Sequence, residues 1–360
     1  MCWSPRLVFR CAVGLPKFCE GSSPKVWGCG EEVLGMSESR QLLCDMADGL
    51  FSDLAEAGFD KAWPRIEEAG FASLLIPEEQ GGFGGGWGDA YAVLRIAGRH
   101  ALSAPLGDTI IAHRLLMEAG IIPPAGPIGL AKANGQVGYG RHCGSVVCIE
   151  GGELRLVEVA TSEIVEGYSL AGEPFDRICP AGAPLANAHC AANLSALGAF
   201  ALVAQSAGAL EAAFELTLEH VNTRVQFGKA LGRFQAVQQA MAEFSVEAAA
   251  IDAAGQAMAA ALDKGCALDD STGFEVAAAK LRANMAIERC FPIAHRLHGA
   301  IGFTMEYALN RYTRRLMDWR GDCGNDAYWA GILGRRVAKL GGCGLWPEIT
   351  RRSDAAAPAE

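Results

Sequence analysis

The sequence predicts a mainly α protein with a small β unit: an N-terminal helical domain, a reduced middle β domain and a C-terminal four-helix-bundle domain. Three observations carry this. Apolar residues recur at helical spacing from Ser37 to Gly120 and again from Ala191 to about Leu345. Between these stretches, from Pro127 to about Pro184, short alternating runs replace that period. The order helices, strands, helices lacks the βαβ alternation that a doubly wound or barrel fold requires.

The first 35 residues hold four cysteines, three prolines and two tryptophans with no helical or strand period, so 1–36 reads as a non-native or disordered extension and Met36 as the expected true start. Over 37–124 four helices are expected, in "QLLCDMADGLFSDLAEAG", "DKAWPRIEEAG", "WGDAYAVLRIAGRHALSAPL" and "GDTIIAHRLLMEAG". Ser37 is available as an N-cap, and Gly58, Gly70 and Gly120 stand where helices would stop. The glycine-rich run "IPEEQGGFGGGWG" between the second and third helices is a loop whose backbone can pack closely. Residues 125–190 supply the β unit, antiparallel and turning at Gly151-Gly152, followed by the linker "PAGAPLANAHC". Four or five long helices then occupy 191–345, and 346–360 is expected to be a disordered tail.

Composition narrows the function classes. A net charge of -10 argues against nucleic acid as a partner, although the cluster Arg311 to Arg315 could serve a small anion. No uninterrupted apolar run has the length and flanks of a membrane span, so membrane integration is not expected; the cytoplasmic location expected here rests on the cysteines. The thirteen cysteines are scattered and never form C-x-x-C, which reads as reduced core thiols rather than disulfides or zinc. His295 and His298 share a helix face, but no carboxylate or cysteine completes a metal site; packing or phosphate contact is expected instead. No dinucleotide, Walker, nucleophile-elbow or zinc-protease motif is present.

The unusual segment is "RVQFGKALGRFQAVQQ", Arg224 to Gln239, set between two alanine-rich helices. A helical hairpin needs little more than a glycine and a few polar residues. Here an arginine fork suited to phosphate, two glycines permitting close backbone approach and the apolar face of Phe227 are combined. A solvated turn and an anion-binding connection both remain open on these residues alone.

Three segments, in order, resemble the acyl-CoA dehydrogenase flavoprotein family, and the likeness runs from about Ser37 to Leu345. They are "IPEEQGGFGG" at 76–85, the pattern R-x-Q-F-G-x-x-L-x-x-F-Q from Arg224 to Gln235, and "HRLHGAIGFTMEYALNRYTRR" at 295–315. The resemblance implies FAD as cofactor, an acyl-CoA thioester as substrate and electron-transfer flavoprotein as electron acceptor. It implies cofactor contacts from Arg224, Gln226, Phe227, Gly228 and Gln235, reaching the FAD of a neighbouring subunit. Arg296, His298 and Gly299 are expected on the same cofactor, although Arg296 replaces a family glutamine and Ala300 a family glycine.

The family's reaction is α,β-dehydrogenation, with a carboxylate taking the α-proton while hydride leaves the β-carbon for flavin N5. At the usual glutamate position this chain has Cys323, and at the alternative position Met285. Asp322 and Glu288 are the candidate bases, with Asp318 a weaker third. The β unit is shorter than the family's and lacks its T-E-P-x-x-G-S-D loop, as in bacterial members that work in mixed complexes on bulky sterol-side-chain or similar esters. Identical or paralogous chains are therefore the expected partners. A catalytically silent subunit that helps bind a partner's FAD is the alternative, and a different flavin reaction a third reading.

Overall fold

The computed structural model describes residues 38–264 and 270–354, so the expectations for 1–36 and for 355–360 lie outside the described residues. Helices α1 (Glu38–Leu54), α2 (Phe59–Glu68), α3 (Trp87–Arg99) and α4 (Leu106–Glu118) form the N-terminal part. Gly70 and Gly120 follow α2 and α4 with φ of 77° and 72°, the left-handed geometry that ends a helix. Gly58 differs from expectation: its φ is -69°, and it stands as the N-cap of α2.

Strands β1 (Ile128–Leu130), β3 (Ser145–Glu150), β4 (Glu153–Glu158) and β7 (Ala186–His189) form one sheet in the order β1-β3-β4-β7. Strands β2 (Gln136–Gly138), β6 (Phe175–Cys179) and β5 (Glu163–Val165) form a second, in the order β2-β6-β5. Gly151 and Gly152 close the β3–β4 hairpin with φ of 60° and 83°, a type I′ turn. The unit is not wholly antiparallel: β1 pairs with β3 in parallel, because the intervening β2 leaves for the other sheet. β7 lies inside the segment read as a linker and pairs with β4. Val137, Cys143, Val146, Val159 and Ile178 form a small core of their own.

The C-terminal part contains α5 (Leu194–Thr223), α6 (Gln235–Lys264), α7 (Asp270–His298), α8 (Leu309–Gly321) and α9 (Asp326–Asp354). α9 breaks at Gly341 (φ 69°, ψ 169°). Residues 346–354, expected as tail, continue α9, and the Arg336–Glu348 ion pair at 2.7 Å ties that stretch back across the break. α5 is apolar on every side and long enough to cross a membrane by length and composition; it is instead the core helix, packed against α3, α4, α6, α7 and α8.

The α3–α5 crossing is the tightest contact. A Cβ on Gly98 would come 2.0 Å from the Gln205 carbonyl oxygen, and one on Gly208 would come 1.8 Å from that of Arg95. The two backbones therefore touch through reciprocal glycines. Arg95 and Arg99 on α3 grip Glu211 on α5 at 2.8 and 2.6 Å, and Arg95 also reaches Asp252 on α6 at 3.1 Å. Gly208→Ala should lower unfolding free energy by about 1–3 kcal/mol or more through overpacking. Gly49→Ala in α1, where a Cβ meets nothing within 4 Å, should raise it by roughly 0.5–1 kcal/mol. Urea denaturation of both variants checks the contrast.

Candidate active site

The motif between α5 and α6 folds as a two-residue hairpin of β8 (Val225–Gln226) and β9 (Lys229–Ala230). Phe227 and Gly228 form its turn with φ of 51° and 79°, so a phenylalanine sits in the left-handed region that side chains avoid. Its ring is 89% exposed, although burial would be worth roughly 2 kcal/mol or more. Lys229 lies over the Phe234 ring at 4.2 Å, and Phe227 meets that ring edge-on at 6.2 Å. The Arg224 amide donates to the His220 carbonyl at 2.9 Å, ending α5, while its exposed guanidinium has no hydrogen-bond or ion-pair partner among the described residues. Gln226 and Gln235 are also exposed.

The third segment meets the end of α5 that leads into this hairpin. α7 ends at His298, and Gly299 turns left-handed with φ 67°. The His298 ring stacks on His220 of α5 at 4.5 Å, bringing the ends of α5 and α7 together. Burial, then the His298 ring and Arg224, hold His220 below its ordinary pKa. Arg296 is exposed and, among the described residues, without a polar partner. His298, expected in packing or at a phosphate, is 6% exposed, with Nδ1 at 2.8 Å from the Ala294 carbonyl. The backbone at Gly299, where a Cβ would meet nothing within 4 Å, is what reaches the surface.

At the other end of α5, a cleft of about 1100 Å³ lies between the β unit and the α8–α9 connection. Leu130, Val146, Phe175, Ile178 and Met317 give it apolar walls, and Asn193, which caps α5, lines it with Ser195 and Gly198 of the first turns. Asp108, Lys132, Asp318 and Asp322 bring charge into it. The Lys132 ammonium contacts Asp322 Oδ2 directly and sits 4.0 Å from the centre of the Phe175 ring. Asp322 Oδ1 accepts from the Cys323 amide at 2.7 Å. Burial, reinforced by nearby Asp322, pushes the Asp108 carboxyl up to about 6 against the pull of Lys132. Burial likewise raises Asp318, whose Oδ1 takes the Leu170 amide at 3.4 Å. The Cys323 thiol is pushed up to about 12 by burial and then by Asp322, so it is a poor proton acceptor near neutrality.

The candidate carboxylates thus separate. Asp322 and Asp318 line the cleft, whereas Glu288 stands exposed on α7, paired with Arg320 at 3.1 Å and outside the cleft lining. Sequence reading missed Asp108 and Lys132. Neither lies in a motif, and Lys132 meets Asp322 across 190 residues of sequence. Among the described residues no group of histidine, cysteine and carboxylate could hold a metal ion.

Asp108 also makes a pH-dependent prediction. Its folded pKa, about 6, exceeds the ordinary 3.8, so its contribution to stability is lost as pH rises through 6 and its ionised form disfavours folding above that. Asp108→Asn should therefore be the more stable protein at pH 8, by about 1–3 kcal/mol, with the difference closing below pH 4. Denaturation midpoints across that range check it.

The acyl-CoA dehydrogenase C-terminal domain family matches residues 191–338. Acyl-CoA dehydrogenase IpdE2 of Mycobacterium tuberculosis is 30% identical over 279 residues, covering 72% of this chain and 82% of that protein. Among solved structures, the ChsE4-ChsE5 complex from Mycobacterium tuberculosis superposes with a TM-score of 0.73 at 19% identity, covering 85% of this chain and 98% of the matched one. The FAD complex of PigA superposes with a TM-score of 0.67 at 16% identity, covering 86% and 100%. These neighbours share the layout of an N-terminal helical part, a middle β part and a C-terminal helical part. With the sequence match to IpdE2 extending over most of both proteins, this chain belongs to the acyl-CoA dehydrogenase family.

Proposed function

We propose that this chain is an FAD-dependent acyl-CoA dehydrogenase that introduces an α,β double bond into an acyl-CoA thioester, and that it works only in an oligomer. The observation that carries the second half is the position of the two sites on α5. The cleft opens at Gly198 and the hairpin begins at Arg224, so by helix rise they are about 40 Å apart. That exceeds the reach of one bound dinucleotide, so the hairpin of one chain serves the cleft of another.

The exposed surface fits the cofactor's polar half. Arg224 and Arg296 offer to pyrophosphate guanidinium groups that have no partner among the described residues, and Gly228 and Gly299 leave the backbone open where a Cβ meets nothing within 4 Å. Gln226 and Gln235 add amide donors, and Phe227 supplies an apolar face. When bound, FAD supplies the acceptor for the hydride that leaves the substrate's β-carbon. In the cleft, Asp322 takes the α-proton on its carboxylate as the α C–H bond breaks. Lys132 and the Cys323 amide fix that carboxylate's orientation, and the apolar walls exclude water from it. Electron-transfer flavoprotein would be the acceptor that takes the electrons onward.

A second reading is favoured by one feature of the same turn. Asp322 has both oxygens engaged, and the neighbouring position carries a thiol pushed up to about 12. On that reading the chain is a silent subunit that lends Arg224 and Gln235 to a paralogous partner's cofactor. Purification of the chain alone separates the two. A yellow protein that reduces a dye with acyl-CoA substrates supports the enzyme; a colourless one that gains flavin only with a second dehydrogenase chain supports the silent subunit. In the active assembly, Asp322→Asn should lower turnover by about a hundredfold or more with flavin retained. Arg224→Ala should lower flavin content first.

A further inference from the structure

The cleft's charged turn is held from beneath by a group that neither the cleft nor the hairpin uses. Lys280 on α7 is 1% exposed and does not line the cleft. Its ammonium donates to the Trp319 carbonyl at 2.6 Å, to Asn284 Oδ1 at 2.8 Å and to the Arg320 carbonyl at 3.5 Å. Trp319 and Arg320 belong to the last turn of α8, where carbonyls lack helical partners and a cation is favoured.

The chain then turns sharply through Asp322, Cys323 (φ 50°) and Gly324 (φ 106°). From the far side, the Trp329 indole nitrogen donates to the Cys323 and Gly324 carbonyls, each at 3.1 Å. The turn is therefore clamped between Lys280 and Trp329, and it carries the Asp322 carboxylate to Lys132. An isolated buried ammonium costs several kcal/mol, and an apolar side chain could fill the same volume. Its placement against the end of α8 gives that cost a purpose.

We propose that Lys280 is a positioning residue: by closing the C-terminus of α8 it sets where Asp322 stands in the cleft. Its catalytic meaning rests on Asp322 being the proton acceptor, while its structural meaning does not. Burial pushes the ammonium down to about 8, opposed by Cys323, Asp322 and Asp326 and aided by Lys132, the charged and titratable groups that face it. Above that pH a neutral amine has two N–H groups for three acceptors, and the clamp loosens.

The test is hydrogen exchange in the full-length protein, comparing wild type with Lys280→Met. Exchange in the peptide spanning 320–325 should quicken by about tenfold or more, the equivalent of one to two lost buried hydrogen bonds, with α5 unchanged. No change at 320–325, or equal quickening in α5, would overturn the proposal. Lys280→Gln keeps amide donors on a shorter side chain and cannot titrate, so exchange at 320–325 should also quicken, by less than in Lys280→Met, and this carries the comparison if the methionine variant does not fold. In an assembly that turns over, the decline of kcat above about pH 8 should be present in wild type and absent from Lys280→Gln, with KM unchanged; a decline shared by both would also overturn it. If the chain proves silent, exchange still decides the role of Lys280.

Discussion

The burial of α5 is the constraint on which the other elements depend. A 30-residue helix with apolar side chains all round must be covered on every side, and α3, α4, α6, α7 and α8 do so. The reciprocal glycines at positions 98 and 208 let α3 lie against it at backbone distance. The Arg95, Arg99 and Glu211 pairs fix the crossing's register with charge that is poorly placed anywhere else. Once α5 is fixed, its two ends are fixed too. One opens on the cleft beside Cys323 and Asp322, and the other ends in Arg224 and the hairpin.

The two ends are built by opposite physics. At the cleft, charges are drawn into partly dry surroundings, so Asp108 and Asp318 hold their protons more tightly, and beneath its turn the buried Lys280 holds its less tightly. Such competition among carboxylates and lysines suits a place where a proton is to be moved. At the hairpin nothing is buried. A strained, exposed phenylalanine and two arginines without partners among the described residues are costly in an isolated chain and sensible against a ligand or another subunit.

Sequence and structure agree where the information is local. Helical period, the glycines after α2 and α4, and the I′ turn at Gly151-Gly152 are properties of a few adjacent residues, and the expected layout follows from them. The 224–235 segment was legible for the same reason, since a hairpin is one contiguous piece of chain. The cleft was only half legible. Asp322 stood out by its place beside the missing glutamate, but Lys132 and Asp108 join it through tertiary packing alone. Glu288 and His298 were singled out by spacing on α7, and spacing does not say which face of a helix meets the cleft or the core. β7 is four residues long and pairs at a sheet edge, which leaves little period to read, and α9 continues to Asp354 because an ion pair holds it.

The central claim is that the hairpin and the cleft of one chain belong to different sites. A photoactivatable phenylalanine analogue in place of Phe227, irradiated in the flavin-loaded assembly, addresses it directly. On a denaturing gel the product should have the mass of two chains, with the cross-linked peptide coming from the second. A cross-link from position 227 to the cleft residues of its own chain, at the mass of one, would contradict the account.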